Sequence, residues 1–131
     1  MTGMAKNQDL NPIVSTLRAR FVETAQGKLD AIDTALKTVD GNADGRQAAE
    51  MKEIAHSLKG MAGSFGFMSV TRISEAFEDY LAAAQDAEKL PRDGARRYHD
   101  AMRRIIDSGD EPSDTETDAI LAELPAPTGT A

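Results

Sequence analysis

A chain of 131 residues with 22 acidic and 15 basic side chains carries a formal net charge of −7. That balance excludes a general nucleic-acid binder, which needs a positive face for phosphates, and the absence of cysteine removes disulfide and thiolate chemistry. No apolar run approaches the ~18 residues of a membrane span and no basic-plus-apolar leader is present, so one soluble, cytoplasmic domain with no membrane partner is expected.

Residues 1–10 are polar and read as a flexible N-terminus. Asn11-Pro12 is a helix start, with Asn as N-cap and Pro in the first turn. Val14, Leu17, Phe21, Ala25, Leu29, Ile32, Leu36 and Val39 then hold a helical period, which fits one long helix or two with a break near Gly27 and favours a continuous or gently kinked element. Gly41-Asn42-Ala43-Asp44-Gly45 is a loop. A second helix is predicted over 46–66. Ser69 is placed as the cap of a third, whose stripe is Val70, Ile73, Phe77, Tyr80, Leu81 and Ala84. Pro91 and Gly94 mark the next boundary, and a fourth helix carries Tyr98, Met102, Ile105 and Ile106 to an end near Gly109. Four amphipathic helices with short connections, few aromatics and no tryptophan predict an all-α, antiparallel up-and-down four-helix bundle over 11–109. Residues 110–131 form an acidic, proline-containing tail. There Ser113 and Glu116 make a capping box ahead of Ile120, Leu121 and Leu124, predicting a short helix over 114–124 that Pro125 and Pro127 end. A helix that short is marginal in water by itself, so it either docks on the bundle or stays disordered.

The stretch 55–67, Ala-His-Ser-Leu-Lys-Gly-Met-Ala-Gly-Ser-Phe-Gly-Phe, carries the chemistry. Each glycine inside a helix costs roughly 1 kcal/mol relative to alanine, so Gly60 and Gly63 need a reason. Counting about 100° per residue from Leu58, the apolar residues Met51, Ile54, Ala55, Met61, Ala62 and Phe65 fall within about 60°. His56 then lies near ~160°, Gly60 near ~200° and Gly63 near ~140°, so the imidazole sits on the water side above a strip without side chains. That strip reads as an approach path for a large partner. Lys59, one turn on, suits an anion carried by the ring.

These residues resemble a family. His56-Ser57-Leu58-Lys59-Gly60, followed by Gly66 and Phe67, is similar to the signature of histidine phosphotransfer (HPt) domains. The run Gly60-Met61-Ala62-Gly63-Ser64-Phe65-Gly66-Phe67 most resembles the phosphotransfer domain of chemotaxis-type histidine kinases, with Met61 departing from the small residue many members carry. The resemblance implies that His56 accepts a phosphoryl group, with Lys59 stabilising its charge and Ser57, Gly60 and Gly63 facing the partner. It also implies response-regulator receiver domains as partners, an upstream hybrid or chemotaxis-type kinase, and Mg²⁺ supplied by the receiver, with no cofactor of the chain's own. The hairpin count adds Glu78. It lies eleven residues after Phe67, as His56 lies eleven before it, so both stand at one height and Glu78 can accept the Nδ1 proton and orient the ring. In the chemotaxis-type domains a glutamate at this offset has that role. The alternative is a solvated Glu78 paired with Arg72 or Lys59.

Nothing resembles an ATP site, so a phosphocarrier is expected rather than an enzyme, and a monomer. Met1 and the acidic tail favour a stand-alone carrier over an excised kinase segment. His99 lacks lysine and glycine company and is expected to be an ordinary surface residue. Two histidines 43 positions apart make no metal ligand set. The arginines of 92–104 read as a solvated face offsetting nearby acids, and Met68 as exposed near the docking face. A helical interaction module that binds receivers or kinases without carrying phosphate is the alternative function.

Overall fold

The computed structural model describes residues 12–37, 42–43 and 45–127. The expectations for residues 1–10, the Asn11 cap, Val39 and much of the 41–45 loop lie outside these residues. Helix α1 runs unbroken over Pro12–Lys37, α2 over Gly45–Ala62, α3 over Met68–Ala87, α4 over Arg92–Ser108 and α5 over Asp114–Glu123. Among the described residues the only extended backbone is a two-residue antiparallel ladder, β1 (Asn42–Ala43) with β2 (Leu90–Pro91), which ties the α1–α2 and α3–α4 connections together.

The helices close into a ring in which α2 packs on α1 and α3, and α4 on α3 and α1. Cross-helix pairs show that neighbours run antiparallel. Ser74 Oγ donates to Met102 Sδ at 3.4 Å while Phe77, one turn on, stacks on Tyr98, one turn back, at 4.9 Å. Asp30 meets Arg103 while Asp33 meets Arg96, and His56 meets Glu78 while Lys59 meets Thr71. The all-α four-helix bundle predicted from periodicity is therefore the observed fold. Its core holds the expected stripes: Phe21, Ala25, Leu29, Ile32 and Leu36 from α1, Met51, Ala55 and Leu58 from α2, and Val70 through Ala84 from α3.

Four details differ from the sequence reading. Val14 and Leu17 continue the period of α1 but are exposed, because α1 starts before its neighbours can cover it. The second helix ends at Ala62, and Gly63–Phe65 form a 3-10 turn. Gly66 follows at φ +88°, a left-handed conformation that suits glycine, and buried Phe67 anchors the chain as it reverses. Ser69 is not the cap of α3. The helix begins at Met68, and both the backbone N–H and hydroxyl of Ser69 donate to the Glu111 carboxylate. An acidic group beyond α4 thus supplies the anion that a helix N-terminus favours. His99 is buried at 5% exposure, on the same face of α4 as Ala95, Met102 and Ile106. The spacing of that stripe already pointed inward; its polar ring concealed it.

The tail helix docks. Ser113 and Glu116 close the capping box, Thr117 is buried, and Asp118 takes a 2.6 Å bond from Arg72 of α3. Arg97 and Tyr98 of α4 donate to the carbonyls of Glu123 and Pro125 at 2.7 and 2.6 Å. Two further α4 arginines are not simply solvated: Arg96 pairs with Asp33 and Arg103 with Asp30, both on α1. The Arg96 guanidinium first, then the Lys37 ammonium, holds the Asp33 carboxyl down at about 2 from an ordinary 3.8. A depressed carboxyl contributes stability that is complete above its unfolded value and lost as pH falls through the folded one. An Asp33→Asn protein is therefore expected to show a shallower loss of stability between pH 3.8 and about 2 in acid titrations of denaturant midpoint. An identical acid limb would show that the pair contributes nothing.

Candidate functional site

The α2–α3 hairpin brings His56, Lys59 and Glu78 together. His56 Nδ1 stands 2.9 Å from Glu78 Oε2, and Lys59 Nζ 2.7 Å from Oε1. The imidazole side chain is 70% exposed and Glu78 only 13%, so a nearly buried carboxylate holds one edge of a ring that otherwise faces water. Both helices set this up. Glu78 follows buried Phe77, which fixes its turn against the core, and Leu58 and Ala55 do the same for the turn bearing His56. Thr71 Oγ1 donates to the Lys59 carbonyl at 3.1 Å, a cross-link between the two helices that the sequence reading missed.

Burial pushes the Glu78 carboxyl up, but the close Lys59 ammonium and the His56 contact outweigh it and leave the group below the usual glutamate range. The same contact with Glu78 raises Lys59 above an ordinary lysine, against a smaller desolvation effect. Glu78 is thus an anion at neutral pH. A carboxylate can only accept, so Nδ1 is the donor to it, and Nε2 is the ring nitrogen on the far side. The Lys59 contact is an ion pair that leaves Oε1 without a well-directed hydrogen bond. Lys59 is therefore committed to Glu78 rather than standing free beside the ring, and Arg72 is committed to Asp118.

The two glycines part company. A Cβ at Gly60 would meet nothing within 4 Å, so this position leaves the helix face bare. A Cβ at Gly63 would lie 3.3 Å from Thr71 Oγ1 and 3.5 Å from Met68 Cε, so the absent side chain there lets α3 approach. Met68, exposed as expected, covers the end of the strip. Ser57 lies toward α1, lining a groove with Lys28, Glu50, Glu53 and Ile54. His99 is far from this arrangement in character: its Nδ1 meets Asp100 at 2.9 Å, and its buried Nε2 has no partner among the described residues. Among the described residues no three His, Asp or Glu side chains are grouped to hold a metal ion, and no helix is long and apolar enough to cross a membrane.

The hairpin thus presents an exposed imidazole whose Nδ1 lies against a largely buried carboxylate. The family model of the Hpt domain matches residues 16–108. The chain belongs to the Hpt domain family. Hpt domains are histidine phosphotransfer modules of phosphorelays, carriers of the group rather than catalysts. The matched residues run from α1 through α4 and stop before α5. No curated protein matches the chain.

If Glu78 orients the ring, its loss has a definite size. Glu78→Ala is expected to slow phosphoryl transfer by about 10–100-fold, by analogy with the loss of a carboxylate that orients a metal-bound histidine. Nitrogen chemical shifts of the His56 ring should change from one predominant Nδ1–H tautomer to a mixture. An unchanged rate together with an unchanged tautomer would remove this role.

Proposed function

We propose that the chain accepts a phosphoryl group on Nε2 of His56 and exchanges it with the aspartate of a response-regulator receiver domain. The pairing of His56 Nδ1 with Glu78 carries this reading, because it leaves an exposed Nε2 lone pair facing solvent. In the forward step the lone pair forms the N–P bond while the aspartyl P–O bond breaks, its electron pair returning to the aspartate carboxylate. The Nδ1 proton stays on the ring, and Glu78 stabilises the positive charge that the ring acquires. Phosphoryl transfer of this kind depends mostly on positioning and charge stabilisation. The receiver supplies Mg²⁺ and the charged machinery; this chain supplies an oriented nucleophile. The bare face at Gly60, ending at exposed Met68, accepts the receiver's surface around the aspartate. An upstream hybrid or chemotaxis-type kinase feeds the relay in the cytoplasm, and the carrier acts as a monomer.

The test is to incubate the protein with a panel of phosphorylated receivers and follow acid-labile, base-stable phosphate, with its position mapped on the chain. Label on His56 supports the carrier. Receivers that bind but never transfer would leave the interaction module as the function.

A further inference from the structure

The cation that meets a phosphoryl group on His56 is not settled by the family motif, because Lys59 is engaged elsewhere. Its ammonium sits 2.7 Å from Glu78 Oε1, on the Nδ1 side of the imidazole. A group on Nε2 projects from the opposite side of the ring. Helical side chains lean toward the N-terminus of their helix, so the patch a residue covers lies over the preceding turn. For His56 that turn carries Lys52 and Glu53. A groove of about 350 Å³ opens there, bounded by Ala49, Lys52, Glu53, His56, Glu78 and Gln85.

The charges in this groove are unequal. Glu53 and Glu78 are carboxylates that repel an incoming phosphoryl group. Lys59 offsets Glu78 from outside the groove. Lys52 is the only lysine or arginine of the six lining residues, and it has no ion pair or hydrogen bond among the described residues. It is also four residues before His56, a spacing that makes the two side chains neighbours on the helix surface.

We propose that Lys52 holds the phosphoryl group on Nε2 of His56, its ammonium pairing with the phosphoryl oxygens once transfer has occurred. This rests on the phosphocarrier reading above. Lys59 then tunes the orienting carboxylate, and Lys52 steadies the product. Its effect falls on how firmly the carrier keeps its phosphate and thus on the equilibrium with the receiver. An exposed charge pair of this kind changes an equilibrium by roughly two- to five-fold and weakens with salt.

Phosphoramidate, a small N–P donor, loads histidine without a partner and provides the probe. Wild type, Lys52→Ala, Lys52→Arg and Lys59→Ala are loaded, and the phosphorus resonance of phospho-His56 is titrated. A nearby ammonium favours the dianion, so Lys52→Ala should titrate at higher pH than wild type, with Lys52→Arg retaining the wild-type curve. With a phosphorylated receiver as donor, Lys52→Ala should shift the equilibrium about two- to five-fold toward the receiver. A Lys52→Ala curve that overlays wild type overturns the assignment of Lys52 alone, as does a shift seen only in Lys59→Ala. A wild type that accepts phosphate on His56 from neither phosphoramidate nor any phosphorylated receiver would sink the phosphocarrier reading itself.

Discussion

A His56→Gln protein is expected to take up no phosphoryl group from a phosphorylated receiver while folding as the wild type does. The amide has no lone pair able to form a stable N–P bond, so the loss should be complete rather than graded. Stability should hardly move, because the ring is 70% exposed and Lys59 still offsets Glu78 after the change. Surface substitutions of this kind usually stay within about 0.5 kcal/mol. The chain has one other histidine, and His99 is 5% exposed with its ring against the α4 core face. Acid-labile phosphate measured on wild type and His56→Gln decides the matter. Label that persists in the variant would move the chemistry to another residue and remove the site described above.

Adding a single methyl group at Gly94 is expected to destabilise the bundle by about 1–3 kcal/mol, the usual cost of overpacking. A Cβ there would stand 2.0 Å from the Tyr80 hydroxyl oxygen, 2.9 Å from its Cζ and 3.4 Å from Pro125 Cγ. Tyr80 cannot withdraw. It is fully buried, and the Tyr98 ring lies 5.1 Å away. Gly94→Ala should lower the denaturant midpoint with little change in slope. Because α4 carries none of the site residues, uptake of phosphate by the folded fraction should be preserved. Tyr80→Phe removes the closest clashing atom, so Gly94→Ala in that background should cost less than in wild type. An equal cost in both backgrounds would show that the close approach to Tyr80 is not the cause.

Much of the bundle was legible because helical periodicity records which face meets the core. The stripes of α2, α3 and α4, the capping box at Ser113 and the stop at Gly109 all follow from local pattern, whereas docking of the tail helix does not. The misreadings have two causes, distant neighbours for Val14, Leu17 and Ser69 and a polar side chain for His99. Val14 and Leu17 keep the period past the end of the neighbouring helices, and periodicity cannot tell where a neighbour stops. Ser69 has the chemistry of a cap, but a carboxylate from Glu111, 42 residues away, occupies that role. His99 was read by its polarity rather than by its place in the stripe.

For the site, the sequence by itself determined that His56 lies outside the apolar stripe, that Gly60 leaves the adjoining face bare, and that Glu78 stands level with the histidine. Those facts depend on residue counts along two helices and one turn, and helical geometry converts counts into positions. Only the tertiary structure decided how charges pair across the hairpin. Lys59 turns to Glu78, Gly63 makes room for Thr71 and Met68, and Lys52 is left facing the groove beside the imidazole. Pairing depends on which side chains from different helices arrive within about 3–4 Å of one another, and a one-dimensional period carries no such distance.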